Sequence, residues 1–432
     1  VRPRVVGVAA ASGLSLALAL GACSGSTGDD ADPAGAAAPA PGAPASVALS
    51  GAAGLTEDEP LRVGLLVTLR SDPGQGQDLV GAAEGAAVAA YRLRLGGADV
   101  ELEVVDDQGT SQGAEAAVEE LVDAGVSGIV AATRGDHLDD ALVRATEAGT
   151  PVLLPYDRSG DLPVGAFATG PDAASIDRAL LAGMRVDGLS RPYVLSADDV
   201  RVDGVGSADA GPVGGDLDAT VERVGAAFDE GRVDSVLVAA AASTQARVVA
   251  ALQGAAPDVP VVLSPEALSP AFAAGLDEAS ATTAGAFLSA GTDAGDATTL
   301  APSERAESVS AYFAALRLAA GDPDLTDLFA AAPFRDVAAA ADTASHDAVL
   351  ALAAAAEAAG SLEPGDVLSA LSGLQVDGRH GLAGPGLDFG SDQALPGDSV
   401  VALRATGQDP GVRPAASGGE PRLYWFAVDP TG

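Results

Sequence analysis

Short apolar runs and amphipathic stripes alternate along this chain, twice over, and that alternation limits the fold more than any other feature. "LRVGLLVTL" (61–69) is a compact apolar run with β-branched valines, the pattern of a strand buried on both faces. Val80, Ala83, Ala87, Tyr91 and Leu95 then recur at steps of three or four, the stripe of a helix with one buried side, and Gly96 and Gly97 end it. "ADVELEVVDD" (98–107) reads as a strand, 111–124 as a helix, "VSGIVA" (126–131) as a strand, 136–148 as a helix and "PVLL" (151–154) as a strand. A second run follows, with a helix at 176–186 and strands at 191–199, 233–241, 259–265 and 283–290. Long Ala-rich helices are predicted over 302–320 and 336–359, and short strands over 386–405 and 421–428. Strict alternation means parallel strands with helices packed on the sheet faces. The expected fold is α/β in two units, with a late segment returning to finish them.

The first 22 residues have a different logic. Arg2 and Arg4 precede an uncharged, mostly apolar stretch from Val5 to Leu20, and the small residues Gly21 and Ala22 follow. This is the layout of a secretory signal peptide, and the apolar run is shorter than the ~20 residues of a membrane-spanning helix. Leu20, Gly21, Ala22 and Cys23 resemble a bacterial lipobox, which implies cleavage before Cys23 and a lipid on its thiol. Cys23 is the single cysteine of the chain, so no internal disulfide can form. The expected location is the extracellular face of the cell membrane, lipid-anchored. Residues 24–59, rich in Ala, Pro, Gly and Ser, lack the large apolar side chains that folding needs and read as a flexible tether.

The formal net charge is −38, and all 23 basic residues are arginine. Acids are spread along the chain rather than gathered in a tail. This disfavours nucleic acid and anionic membrane surfaces as partners, because both require basic patches.

Equipment for catalysis is not signalled. There are three histidines, His137, His346 and His380, with no G-x-S-x-G elbow and no H-E-x-x-H pair. Asp199, Asp203 and Gly204 fall at EF-hand spacing, but Arg201 and Ala210 stand where ligand oxygens belong. "GQGQDL" (74–79) lies between a strand and a helix like a dinucleotide fingerprint, yet Leu79 occupies the third glycine position. The acidic "DHLDD" (136–140) reads as the negatively charged first turn of a helix. No enzyme, metal site or cofactor is expected.

The folded part resembles a type I periplasmic binding protein, of the group typified by leucine/isoleucine/valine-binding proteins of ABC importers. "LRVGLLVTL" matches the opening strand of that group. "GAAEGAAVAAYRLRLGG" and "VELEVVDDQGTSQGAEAAVEELVDAGVSGIVAA" resemble the elements that follow, "AGTPVLLPY" the next strand, and "FATGPD" (167–172) the crossover to a second lobe. "VDSVLVAA" and "VPVVLSPEAL" resemble second-lobe strands, "ASHDAVLALAAAAEAAG" a returning helix, and "VDGRHGLAGPGLDFG" the closing segment. The resemblance spans roughly 60–408. It implies two Rossmann-like lobes with parallel sheets, joined by a three-strand hinge, with a small-molecule ligand held between them. The implied organisation is 1–22 signal peptide, 23–59 lipidated cysteine and tether, 60–170 plus 290–384 one lobe, 171–289 plus 385–408 the other, and 409–432 an extension. The implied partners are a small polar solute (an amino acid, amide or related compound) and the permease subunits of an importer, with the chain itself a monomer.

Matching loops then gives ligand-facing candidates. They are Thr68 to Asp72 (Thr68 and Ser71 in particular), Thr133, Arg134, Gly135 and Asp136, and Tyr156, Asp157, Arg158 and Ser159 in the first lobe. In the second they are Asp198, Ala241 and Glu266. Arg134, Tyr156, Asp157 and Arg158 are large or charged where the group more often has small and hydroxyl residues. Either they face solvent at the rim, or Arg158 and Arg134 take an anion and Asp157 an amine. A second reading keeps the fold and makes the chain a ligand-sensing or protein-interaction lipoprotein with a degenerate cleft and no transport role.

Overall fold

The computed structural model describes residues 44–49, 59–71, 76–158, 160–197, 200, 202, 204–283, 286–415 and 422–428. Cys23, Asp72, Ser159 and Asp198 lie outside them. The first sheet contains β1 (Leu61–Val67), β2 (Val100–Asp106), β3 (Gly128–Ala131), β4 (Val152–Leu154) and β5 (Ala166–Ala168) in the order β2-β1-β3-β4-β5, all parallel. The second is built from β6 (Pro192–Ser196), β7 (Asp209–Pro212), β8 (Ser235–Ala239), β9 (Val261–Leu263) and β10 (Phe287–Thr292). A small antiparallel pair, β11 (Gln375–Val376) and β12 (Leu387–Asp388), precedes β13 (Val400–Thr406) and β14 (Tyr424–Ala427). β13 and β14 extend the second sheet beyond β10 as antiparallel edge strands.

The chain leaves the first sheet for the second after β5, returns after β10 to helices that pack on the first lobe, and rejoins the second sheet at β13 after β12, three crossings in all. The first and third crossings are bonded to each other: Ala168 N–H donates to the Asp392 carbonyl at 2.7 Å, and Ala394 N–H to the Ala168 carbonyl at 2.8 Å. A hinge of this kind can bend by small torsional changes while both sheets stay rigid.

Helix Thr343–Ala359 returns from the second crossing into the first lobe and is buried along most of its length. Its composition explains this: Ala and Leu lie on all its sides, and a helix that is apolar all round belongs in a core. Helix Gly85–Leu95 packs on it, and a side chain at Gly85 would meet the Asp342 carbonyl at 2.0 Å, so only glycine permits that approach. The stretch expected as one helix over 336–359 starts instead at the Asp342 cap, whose carboxylate accepts from Ser345 N–H at 3.0 Å. Ala338–Ala340 before it forms only a 3₁₀ turn. Alanine content alone does not mark where a cap intervenes. Glu84 similarly divides the expected 80–95 helix into Val80–Ala83 and Gly85–Leu95. β7, "DAGP", lacks the apolar alternation that marks a strand and was not anticipated.

Six residues of the expected tether, 44–49, are packed on the first lobe. Val47 is buried, its N–H donates to the Arg92 carbonyl at 3.0 Å, and the buried Arg92 guanidinium donates to the Ala45 carbonyl at 2.8 Å. The same guanidinium reaches the Gly381 carbonyl at 2.7 Å and His346 Nε2 at 3.1 Å. His346 Nδ1 meets Asp347 at 2.7 Å, and Asp347 accepts from the Ala383 and Gly384 N–H groups.

The extension after β13 is also tied down. Arg413 forks onto Asp296, with Nε and Nη2 each 3.0 Å from a carboxylate oxygen, and its Nη1 donates to the carbonyls of Ala339 (3.1 Å) and Ala341 (2.6 Å). The guanidinium lies 5.0 Å from the centre of the Phe313 ring. Trp425, on the edge strand β14, packs against the second-lobe core.

Candidate functional site

Every first-lobe candidate follows the carboxyl end of a strand: Thr68 and Ser71 after β1, Thr133 to Asp136 after β3, and Tyr156 to Arg158 after β4. Ala241 and Glu266 follow β8 and β9 of the second sheet. Strand carboxyl ends are where parallel α/β sheets present loops and helix N-termini to a ligand. The two sets meet. Glu266, whose side chain is 3 % exposed, is contacted through Oε1 by Arg134 Nη1 at 3.1 Å and by Arg158 Nη1 at 2.5 Å. Ser269 Oγ donates to the Asp78 carbonyl at 3.4 Å, a second contact between the lobes.

Glu266 sits in the 3₁₀ turn Pro265–Leu268, and its other oxygen accepts from Ser264 Oγ at 2.5 Å. Ser264 is oriented in turn by Gln245, whose amide donates to Ser264 Oγ at 2.9 Å and to the Ala240 carbonyl at 2.8 Å. Gln245 Oε1 is buried without a hydrogen-bond partner. Burial by itself would raise the Glu266 pKa. Arg158, Arg134 and the Ser264 hydroxyl outweigh it and hold the carboxyl down at about 2. Ala241 caps helix Ala242–Ala255 without a side-chain hydrogen bond, so the first backbone N–H groups of that helix start beside this polar cluster.

A second network forms the floor of the first lobe. Buried Asp107 accepts from Thr68 Oγ1 at 2.9 Å, from His137 Nε2 at 2.8 Å and from Gly109 N–H at 2.8 Å. An ionised carboxylate can only accept, so His137 Nε2 carries the proton in this contact. Thr133 and Thr68 join by a short hydroxyl–hydroxyl contact. Gly76 closes over this pair: it adopts φ +104°, and a side chain there would meet Thr133 Oγ1 at 2.1 Å. Gly76, the second glycine of "GQG", thus lies directly over two threonines. No nucleophile–base relay results, because Asp107 sits between His137 and Thr68 and separates them.

The other candidates scatter. Ser71 and Gln77 hydrogen-bond reciprocally, Ser71 N–H to Gln77 Oε1 and Gln77 N–H to Ser71 Oγ, both at 3.3 Å. Tyr156 turns into the lobe and donates to Asp342 at 2.8 Å. Gly135 adopts φ +132° next to the His137 ring, and Asp136 is exposed at the start of the acidic first turn. Asp157 lies with that turn: burial, then Asp136, Asp157 and Asp140, push the Asp139 carboxyl up. Asp107, His137, Gly76, Gln245, Ser264 and Asp342 were not among the sequence candidates. The acidic end of "VELEVVDD" was the one local signal for Asp107.

Two surface hollows, of about 350 and 380 Å³, lie away from this cluster. One is bordered by Met184, Arg191 and Val205, the other by Tyr91, Arg94 and Leu325.

Comparison with known proteins agrees with the architecture. A family model described as periplasmic binding protein matches residues 60–406. The solved structure of the branched-chain amino acid transporter substrate-binding protein LivJ from Streptococcus pneumoniae, in complex with isoleucine, superposes with a TM-score of 0.60 at 17% identity, covering 86% of this chain and 100% of that one. An ABC transporter substrate-binding protein from Sphaerobacter thermophilus gives 0.58 at 19% identity, covering 86% and 97%. One from Desulfitobacterium hafniense, in complex with Leu, gives 0.58 at 18% identity, covering 84% and 100%. A comparison with curated proteins finds no match.

Proposed function

Because the chain belongs to the periplasmic binding protein family, we propose that it is the extracytoplasmic solute-binding lipoprotein of an ABC importer, holding a small polar solute between its lobes. Its anchor is the lipid on Cys23, and its partners are the permease subunits. The observation that carries the reading is the meeting of Arg134 and Arg158 from one lobe with Glu266 from the other, at the carboxyl ends of both sheets. Loops that meet only across a hinge are where a clamshell grips its cargo. Charged groups at that point suit an amino acid, an amide or a related polar solute better than an aliphatic one. Arg158 is the expected anion contact, whereas Thr68 and Thr133 are buried under Gly76 with their hydroxyls joined to each other and to Asp107.

A thermal-shift screen of the mature protein with amino acids, amides, urea and short peptides tests this. A true ligand at 100 times its Kd adds about 2.7 kcal/mol of stability. Absence of any shift across the screen would remove the transport reading. The alternative, a sensor or interaction lipoprotein with a degenerate cleft, gains support from one feature: Glu266 already occupies both arginines.

A further inference from the structure

β13 and β14 are paired neighbours in the second sheet, from Leu403 opposite Ala427 to Thr406 opposite Tyr424. Adjacent antiparallel strands can be joined by about two to five residues, and a loop beyond about 12–15 usually has a task of its own. Here residues 407–423 make the connection, and the loop leaves the second lobe. Val412 packs against apolar residues of helix Glu304–Gly321 in the first lobe, and its carbonyl accepts from Arg317 Nη1 at 2.5 Å. Arg413 then takes Asp296, which lies on the second crossing, and the Ala339 and Ala341 carbonyls of the first lobe. The chain comes back to the second lobe, where Leu423 and Trp425 pack on its core and Val428 N–H donates to the Ala402 carbonyl at 2.8 Å. The tip of this hairpin therefore belongs to one lobe and its strands to the other.

We propose that the 407–423 loop is a strap across the hinge: Val412 and Arg413 fasten it to the first lobe and the second crossing, β14 fastens it to the second lobe, and it biases the lobes towards the arrangement in which Arg134 and Arg158 touch Glu266. Hinge motion turns one sheet against the other while each stays rigid. The seat of Arg413 moves with the first lobe and β14 with the second, so the chain between them must absorb any change of angle. Its leading arm is short. Thr406 and Val412 are separated only by Gly407 to Gly411, a reach of at most about 20 Å when fully extended. Two bonds hold the arm bent: Gln408 N–H to Thr406 Oγ1 at 3.1 Å and Gly411 N–H to Asp409 Oδ1 at 2.7 Å. Lengthening the arm breaks these bonds or pulls Arg413 from its buried seat. All of these contacts are made with the cleft loops touching, so they favour that arrangement over one with the lobes apart. Where the solute-binding reading above holds, the strap also tunes affinity, because apparent Kd scales inversely with the share of the binding-competent form.

The test lengthens the arm and leaves both of its fastenings in place. Gly-Ser-Gly-Ser-Gly-Ser is inserted between the exposed Gln408 and Asp409 of the full mature chain, carrying Cys23→Ser. Spin labels on Glu120→Cys and Glu222→Cys, exposed helix positions of the first and second lobes, report the separation of the lobes. With no solute present, the insertion should at least double the share of long label separations and enlarge the radius of gyration in small-angle scattering, at the wild-type melting temperature. Arg317→Gln, which removes one donor from the Val412 seat, should give a smaller shift of the same sign and covers the case in which the insertion does not fold. Unchanged separations overturn the strap. So do longer separations that come only with earlier melting, since the loop is then a local brace and not a coupling between lobes. No solute enters the measurement, so loss of the strap leaves the solute-binding reading standing, and a screen in which nothing binds leaves the strap standing.

Discussion

Replacing Arg413 by Met keeps most of the side-chain volume and removes the charge, which isolates what this one guanidinium does for the fold. Arg413 is 14 % exposed in its side chain and holds Asp296, 9 % exposed, with two N–H donors at 3.0 Å. It also satisfies the carbonyls of Ala339 and Ala341 and lies over Phe313. Burial works against its charge, but Asp296 and the neighbouring tyrosine and aspartate keep its pKa above the ordinary arginine value. Breaking a buried ion pair from one side costs about 3–5 kcal/mol, because the remaining carboxylate stays buried without a counter-ion. The lost cation–π contact adds about 0.5–2 kcal/mol. The expected loss is therefore about 3.5–7 kcal/mol, read as a lower midpoint in urea with an unchanged slope. Adding Asp296→Asn should recover part of it, since the orphaned charge is then gone. Truncation after residue 408 should cost at least as much as Arg413→Met, because β14 is lost too. A loss below about 1 kcal/mol, or no recovery in the double variant, would refute the claim that the extension is an integral brace.

Other outcomes follow from the same contacts. Glu84 is buried, and burial, opposed by the Leu328 N–H (3.2 Å), pushes its pKa to about 8. The folded protein keeps a proton there that the unfolded chain loses above about 4.5, so stability should fall as pH rises from 4.5 to 8. Glu84→Gln should flatten that slope and stabilise the protein at pH 9 by a few kcal/mol, at ~1.4 kcal/mol per unit of pKa; an unchanged slope in pH-dependent melting sinks this. Glu266 has the opposite sign: with its pKa depressed to about 2, its contribution is present above about 4.5 and is lost as pH falls towards 2. Scattering between pH 5 and pH 2 should show that loss as lobe separation in wild type and not in Glu266→Gln. Gly76→Ala should destabilise the first lobe, since both the positive φ and the contact with Thr133 forbid a side chain; wild-type melting would count against it. Cys23→Ala should release the protein from membranes or leave it unprocessed, checked by fractionation and mass.

The order of strands and helices was legible in the chain because burial periodicity is local. "LRVGLLVTL" and "VDSVLVAAA" can bury both faces only inside a parallel sheet, whatever the rest of the molecule does. Tertiary structure decided where that local logic stopped. Nothing near Ala338 distinguishes a 3₁₀ turn from the helix that starts after Asp342; the cap does, and it is shared with Tyr156 and Tyr312 from elsewhere in the chain. Residues 24–59 lack the large apolar side chains that folding needs and read as a tether, yet Val47 finds a place because Gly96 and Gly381 leave room for it and the buried Arg92 needs carbonyls. The loops bearing Arg134, Arg158 and Glu266 could be picked out by position after a strand, but not their pairing. Glu266 lies 108 residues from Arg158 in sequence, and which charge meets which depends on how the two lobes face each other across a hinge. Periodicity determines what a segment buries beneath itself; a contact between lobes is decided only when both are in place.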